Sequence, residues 1–427
     1  MAKMKHEIDG SPKGASIATT GTITDAVGVA AGGLHAGFRR NPAQYDLALV
    51  VLPAGTTAAG MFTRNVFCAA PVMVSKEHVA TGHARAIVLN SGIANAAMGT
   101  EGLAVARQSA ELVASALDAE PEEILVASTG VIGVPLPLEP FETGIPQLIA
   151  DLGPADGTDH AGGIAAARAI MTTDTVPKHL SLAVELPQCD GGTLTVHIGG
   201  MCKGSGMIMP DMATMLSVLT CDAAVAPEAL DAALHAAVNV SFNKVTIDSD
   251  TSTNDTVFLV ATGAVGGDTI TEDHPAYPAF EAALAELCEE LARKIAADGE
   301  GATKLITVEV EGALDDYEAD LAARAIANSP LVKTAVAGHD ANWGRIAAAV
   351  GKSGAHFHQE DVSIDIMSLP VLRHGLPVPF SEEEALARFE SPEIVLHVSL
   401  GAGPASTRIW TCDFTHDYIT INGDYRT

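Results

Sequence analysis

Short runs of apolar and polar residues recur along the chain and predict strands at 45–52, 84–90, 193–198, 256–261, 305–310, 362–366 and 394–398. Several of these runs alternate apolar with polar, as a strand with one covered face does; others are apolar throughout, as a strand buried on both faces is. Helical spacing of apolar residues predicts helices at 101–117, 227–238 and 280–297. In the last of these, Leu284, Leu287, Cys288, Leu291 and Ile295 make one stripe, and Glu286, Glu289, Glu290, Arg293 and Lys294 lie off it, the pattern of a surface helix packed on a sheet. Pro227 suits a first helical position. Strands and helices mix without strict alternation, and strands crowd together near the C-terminus. The expected fold class is therefore α+β with layered sheets, in preference to a doubly wound parallel sheet. Between 199 and 210 four glycines and a proline read as a loop, leading into a helix-like stretch at 212–219.

Composition narrows the class of function. The chain has 427 residues, 48% of them apolar and 18% charged, which is ample for a large buried core and excludes disorder as the dominant state. Its net charge of −29 repels phosphate backbones, so neither nucleic acid nor an anionic membrane is an expected partner. No apolar stretch reaches the ~20 residues needed to span a bilayer. The first 14 residues lack the apolar centre of a secretory signal, which makes the cytoplasm the expected location. Six cysteines with no Cys-x-x-Cys pair point to free buried thiols, with no disulfide framework and no zinc site.

Spacing disposes of several familiar motifs. A phosphate-binding loop would need glycine five residues before Gly351-Lys352-Ser353, where Ile346 stands. The stretch 248–255 starts like a calcium loop, but Thr253 and Leu259 occupy the positions that require Gly and Glu, so a turn bonded to its own backbone is the better reading. His356 and His358 have no third ligand at a suggestive offset and read as an exposed or hydrogen-bonded pair.

What remains is a set of threonine-, glycine- and asparagine-rich segments: Ala127-Ser-Thr-Gly130, Met171-Thr-Thr-Asp174, Lys203-Gly-Ser-Gly206, Met212-Ala-Thr-Met-Leu216 and Thr251-Ser-Thr-Asn-Asp255. Singly, each reads equally well as a turn or a helix cap. In this order, and together with Met61-Phe-Thr-Arg-Asn65, Asn90-Ser-Gly92, Ser241-Phe-Asn243, Gly299-Glu-Gly-Ala-Thr-Lys304, Asn342-Trp-Gly-Arg-Ile346 and the terminal Asn422-Gly-Asp-Tyr-Arg-Thr427, they resemble the ornithine acetyltransferase family, also called glutamate N-acetyltransferase. The chain departs from the family's usual residues at Cys202, at Met209-Pro-Asp211 and at Ala341, none of which is a catalytic position.

The resemblance implies a layered α/β/β/α sandwich of the self-processing, N-terminal-nucleophile-like kind. It further implies cleavage between Ala213 and Thr214 by the threonine's own hydroxyl, leaving an α chain of residues 1–213 and a β chain of residues 214–427, intertwined in one globular unit and doubled into a heterotetramer. Thr214 is then the nucleophile. A threonine hydroxyl is a weak nucleophile without a base. Cleavage frees an α-amine with a reference pKa of ~7.7–8.0, which can serve as that base. By residue match the oxyanion donors are the Thr129 hydroxyl and the Gly130 N–H, and the substrate contacts are Thr172, Lys203, Thr214, Glu300, Asn422 and Thr427. The implied reaction moves acetyl from N-acetylornithine to glutamate through an acyl-threonine. Members of the family divide over whether acetyl-CoA also serves as a co-substrate, and the motifs do not separate the two groups. Neither a metal nor a bound cofactor is implied. The competing reading is a related self-processing aminopeptidase or amidohydrolase, whose usual nucleophile is serine; a non-enzymatic paralogue is a further alternative.

Overall fold

A computed structural model describes residues 16–18, 20–209 and 215–424. Ala213, Thr214 and Thr427 lie outside the described residues. Three sheets organise the chain. A central six-stranded sheet runs in the order Ser16–Ala18, Lys178–Pro187, Thr193–Lys203, Leu216–Cys221, Thr256–Ala261 and Thr57–Phe62. Its neighbours are antiparallel except for Leu216–Cys221 and Thr256–Ala261, which run parallel with Leu216 opposite Thr256. The second sheet has four strands, Ala30–Leu34, Leu47–Val51, Ala86–Ile93 and Ile124–Val131, the last pair parallel.

These two sheets face each other. Between them lies a dry layer in which Val50, Ile87, Leu89 and Leu125 from one sheet meet Met201, Leu216, Val218, Phe258 and Val260 from the other. Because side chains on a strand alternate, the opposite faces carry their own apolar sets. Leu219, Cys221, Val257 and Leu259 pack under helices Pro227–Val240 and Tyr277–Ala297. Leu49, Val88, Ile124 and Val126 pack under helices Ala70–Val79, Gly99–Leu117 and Glu139–Asp151. The result is the expected layering of helix, sheet, sheet and helix.

A third sheet, in the order Leu376–Pro377, Leu369–Arg373, Ser363–Ile366, Glu393–Ser399, Leu305–Ala313 and Ala405–Cys412, has a separate core with helices Asp316–Ala327, Pro330–Ala337 and Trp343–Gly351. It accounts for the crowding of strands read near the C-terminus.

Two local expectations are corrected. Residues 212–219 are not helix-like where they are described: Leu216–Cys221 is a strand buried on both faces. With both faces buried the run lacks the apolar–polar alternation of a half-covered strand, and the flanking sheets decide its conformation. The glycine-rich stretch is also not all loop, since Gly199 and Gly200 belong to strand Thr193–Lys203. A Cβ on Gly199 would lie 2.4 Å from the Thr22 carbonyl oxygen, and one on Gly200 would lie 2.7 Å from Leu291 Cδ1. These glycines admit close packing of layers; the loop proper begins at Gly204.

Strand Thr193–Lys203 pairs with Leu216–Cys221 from Ile198 opposite Cys221 to Lys203 opposite Leu216, so segments on either side of residue 214 share the middle of one sheet. Replacing Gly199 by alanine is expected to destabilise the protein by about 1–3 kcal/mol, because its obstacle is rigid backbone. Gly200→Ala meets only leucine side-chain ends and should cost less. Thermal melts of the two variants check the order.

Candidate active site

A cavity of about 260 Å³ opens where strands of the facing sheets end. Thr129 and Gly130 reach it from the end of Ile124–Val131, Lys203 from the end of Thr193–Lys203, and Met215 and Leu216 from the beginning of the neighbouring strand. Thr172 and Thr173 follow helix His160–Ala169, Glu300 follows Tyr277–Ala297, and Tyr418 and Asn422 come from helix His416–Asp424. The structure thus brings together Thr129, Gly130, Thr172, Lys203, Glu300 and Asn422, which are far apart in sequence. Met215, the residue after Thr214, forms part of the same wall.

The Thr129–Gly130 corner is built by close approach. Gly130 has φ +127°, and a Cβ there would lie 2.3 Å from the Gly92 carbonyl carbon, so no other residue fits. Pairing with the adjacent strand is regular up to Gly92 opposite Gly130 and shifts at Ile93. A side-chain network holds this end: the Ser128 hydroxyl donates to Asn90 Oδ1 at 2.6 Å, and Asn254 Nδ2 donates to the carbonyls of Ala94 and Ser128 at 2.7 and 2.8 Å.

On the opposite wall, Lys203 is 9% exposed, and its Nζ donates to the Thr172 hydroxyl at 3.1 Å. Burial pulls its pKa below the ordinary lysine value, an effect partly offset by Asp174. Asp174 accepts from the Thr172 N–H at 2.9 Å, the Gly204 N–H at 2.8 Å and Lys178 Nζ at 2.6 Å, and Lys178 also reaches Asp298 at 2.5 Å. Burial alone would raise the Asp174 pKa, but Lys178, Lys203 and these hydrogen bonds outweigh it and bring it down to about 2.

Glu300 lies against Gly206, where a Cβ would come within 2.4 Å of its carboxylate. It accepts from Asn422 Nδ2 at 2.7 Å. The C-terminal helix approaches this point over Gly301, whose Cβ position lies 2.5 Å from the Tyr418 nitrogen, and Thr415 Oγ1 donates to the Gly301 carbonyl at 2.7 Å. The end of the chain is folded back on the cavity as far as it is described.

Sequence reasoning read Asp248 only as part of a turn and did not single out Tyr418. The Asp248 carboxylate accepts from the N–H groups of Met207 and Ile208 at 2.6 and 2.8 Å, tying the 204–209 loop to the 248–255 turn. That turn bonds to itself as expected, the Ser252 hydroxyl accepting from the Asn254 N–H at 3.1 Å, but it also forms one side of the cavity. Away from the site, His356 pairs with Glu318 at 2.6 Å.

Cys189, Asp268 and His274 are the side chains that group like metal ligands among the described residues. His274 Nδ1 accepts from the Ala276 N–H at 3.2 Å, which places the ring proton on Nε2, the atom facing Cys189 Sγ at 3.2 Å. That nitrogen has no lone pair for an ion, so the group is a hydrogen-bonded cluster.

Fold and site define a layered α+β protein with a small polar cavity bearing charges of both signs. The chain matches the ArgJ family over residues 30–427. The arginine biosynthesis bifunctional protein ArgJ of Thermosynechococcus vestitus is 46% identical over 96% of this chain and 98% of that protein, and its namesake in Bacillus subtilis is 42% identical over the same shares. Among solved structures, Bacillus halodurans arginine biosynthesis bifunctional protein argJ is 47% identical with a TM-score of 0.49, covering 50% of this chain and 100% of that one. Mycobacterium tuberculosis ornithine acetyltransferase complexed with ornithine is 38% identical with a TM-score of 0.41, covering 47% of this chain and 100% of that one. The chain belongs to the ArgJ family.

The depressed Asp174 pKa sets an acid limit on stability. A carboxyl whose pKa falls on folding stabilises the native state fully above its unfolded value, here 3.8, and that contribution is lost as pH falls towards about 2. Asp174→Asn should flatten the dependence of Tm on pH across this acid range. Lys178→Met should cost about 3–5 kcal/mol at neutral pH, since it strands buried carboxylates.

Proposed function

We propose that this chain is an amino-acid acetyltransferase of arginine biosynthesis that moves acetyl from N2-acetyl-L-ornithine to L-glutamate. The observation that carries this reading is the convergence of Thr129, Gly130, Thr172, Lys203, Glu300 and Asn422 on one cavity whose wall includes Met215. Both substrates are α-amino acids, so the site needs a cation for a carboxylate and an acid for an ammonium. Lys203 and Glu300 supply these, with Thr172 and Asn422 bonded to them as polar companions.

In this reading the chain cuts itself between Ala213 and Thr214, and residues 1–213 and 214–427 stay together because their strands share a sheet. The two-chain unit is doubled into a heterotetramer. The freed α-amine of Thr214 takes the hydroxyl proton as the oxygen attacks the acetyl carbonyl. The tetrahedral oxyanion is met by the Thr129 hydroxyl and the Gly130 N–H, and collapse expels ornithine, whose amine takes the proton back. Glutamate then attacks the acyl-threonine by the same steps in reverse. Loss of one oxyanion donor typically costs ~10²–10³ in rate, the effect expected of Thr129→Val. In this reading acetyl-CoA serves as a second acetyl donor, and relatives named bifunctional accord with two activities.

Intact mass measurement of purified protein should give two fragments from the wild type and one uncut chain from Thr214→Ala; a single wild-type species that still transfers acetyl overturns the mechanism. With acetylornithine and glutamate, Lys203→Met should raise KM about 10–100-fold, the equivalent of a lost charged hydrogen bond. Because burial lowers the Lys203 pKa, wild-type KM should climb at a lower pH than an ordinary lysine would give, while the variant's stays flat. Free acetate as the main product would instead mark a hydrolase.

A further inference from the structure

Helix His416–Asp424 brings Tyr418 and Asn422 to the cavity, yet none of its residues is buried. A helix of 9 residues with no buried side chain is not held in place by its own propensity or by a packed face. Its position depends on a few contacts. Asn422 Nδ2 donates to Glu300 Oε2 at 2.7 Å and to the Tyr418 carbonyl at 3.0 Å. Where the chain leaves strand Ala405–Cys412, the Asp413 carboxylate accepts from the N–H groups of Thr303 and Lys304 at 2.7 and 2.9 Å. Between these two points the Phe414 ring stacks on the Tyr418 ring, with centroids 4.5 Å apart and planes inclined by 20°.

Lys333 holds that same Phe414 ring. It stands in helix Pro330–Ala337, which belongs to the separate core of the third sheet, and it is 1% exposed. Its Nζ lies 4.3 Å from the Phe414 centroid and donates to Thr411 Oγ1 at 2.6 Å, and its carbonyl accepts from the Phe414 N–H at 3.3 Å. Among the described residues the ammonium thus meets a hydroxyl, an aromatic face and, at 3.8 Å, the Cys412 thiol, with no carboxylate in ion-pair range. Burial pulls its pKa below the ordinary lysine value, against the influence of Cys412, Asp413 and Asp248. A buried cation without a carboxylate partner costs the fold free energy. What it supplies in return is local, an attraction to one ring that strengthens when both groups are dry.

We infer that Lys333 is a positioning residue for the transfer site: by fixing the Phe414–Tyr418 stack it sets where the C-terminal helix lays Asn422 against Glu300. The inference rests on the acetyl-transfer reading above for what Glu300 and Asn422 bind. Lys333 is not itself on the cavity wall. Tyr418 and Asn422 are four residues apart and share one helix face, so a Tyr418 ring that loses its support carries Asn422 away with it. Glu300 then loses its amide partner. A contact made equally with bound substrate and with the transition state acts on KM and spares kcat.

The test compares full-length wild type with Lys333→Met/Thr411→Val and with Phe414→Leu. The double variant removes the ammonium together with the hydroxyl it would leave unpaired, so it should melt within a few degrees of wild type. Amide hydrogen exchange over residues 416–424 should quicken about 3–30-fold, the size of a desolvated cation–π contact, and stay at the wild-type rate in the third sheet's core. With N-acetylornithine and glutamate, KM should rise by a similar factor while kcat stays within about twofold. Phe414→Leu should act in the same way, and adding it to the double variant should change little more, since both break one chain of contacts. Wild-type exchange over 416–424 or a wild-type KM in either folded variant overturns the inference. So does a large fall in Tm with faster exchange throughout the third sheet's core, the mark of a merely structural lysine. A wild type that transfers no acetyl overturns the function proposed above, while the exchange measurement, which needs no turnover, still decides what Lys333 holds in place.

Discussion

Asp174 lies inside the protein between Lys178 and Lys203, and the segment carrying the cavity's cation is fastened to it. Its carboxylate takes the Gly204 N–H at the point where strand Thr193–Lys203 gives way to loop, and the Thr172 N–H from two residues back on its own segment. Lys178 balances it from beneath and is itself shared with Asp298, whose carbonyl accepts from Ser205 Oγ. Buried charges are stable only when paired and hydrogen-bonded throughout. This arrangement fixes Lys203, Thr172 and the approach to Glu300 relative to one another before any substrate arrives.

The proposed reaction relies on that constraint for a chain of net charge −29 to receive an anionic amino acid. Lys203 is the cation among the described residues lining the cavity, and burial works against its charge while Asp174 sustains it. On the facing side, Gly130 and Gly92 abut so closely that backbone N–H groups can be directed at a ligand. The cation and the Thr129–Gly130 corner belong to different sheets. The tight layer of Met201, Leu216, Val218 and Phe258 against Ile87, Leu89 and Leu125 therefore sets their separation.

Much of this was legible in the chain. The run at 256–261 declared itself as a short, almost unbroken apolar strand and the stripe from Leu284 to Ile295 as one helix face, and both are found as read. The motifs around Thr129, Thr172, Lys203, Glu300 and Asn422 carried the site through family resemblance. What escaped depends on three-dimensional packing. Gly199 and Gly200 look like loop residues by composition, but strands pair on both sides of them, and they are glycine because the Thr22 backbone and Leu291 leave no room for a side chain. Leu216 to Cys221 has no period to read, since both of its faces are buried. Asp248 and Asp255 looked like turn residues, and only the pairing of Leu216 with Thr256 brings the latter against Met215. The separate core of the third sheet left no compositional linker behind.

The central claim is that the cavity houses an acyl-threonine whose acetyl group is passed between amino acids. Purified enzyme incubated with N-acetylornithine alone, quenched in acid and digested, allows the acetyl group to be located by peptide mass spectrometry. The account predicts one acetyl group on Thr214, removed when glutamate is added before the quench and absent from Thr214→Ala. Turnover with no acetyl on Thr214 at any time, or acetyl held on another residue and discharged by glutamate, would contradict it.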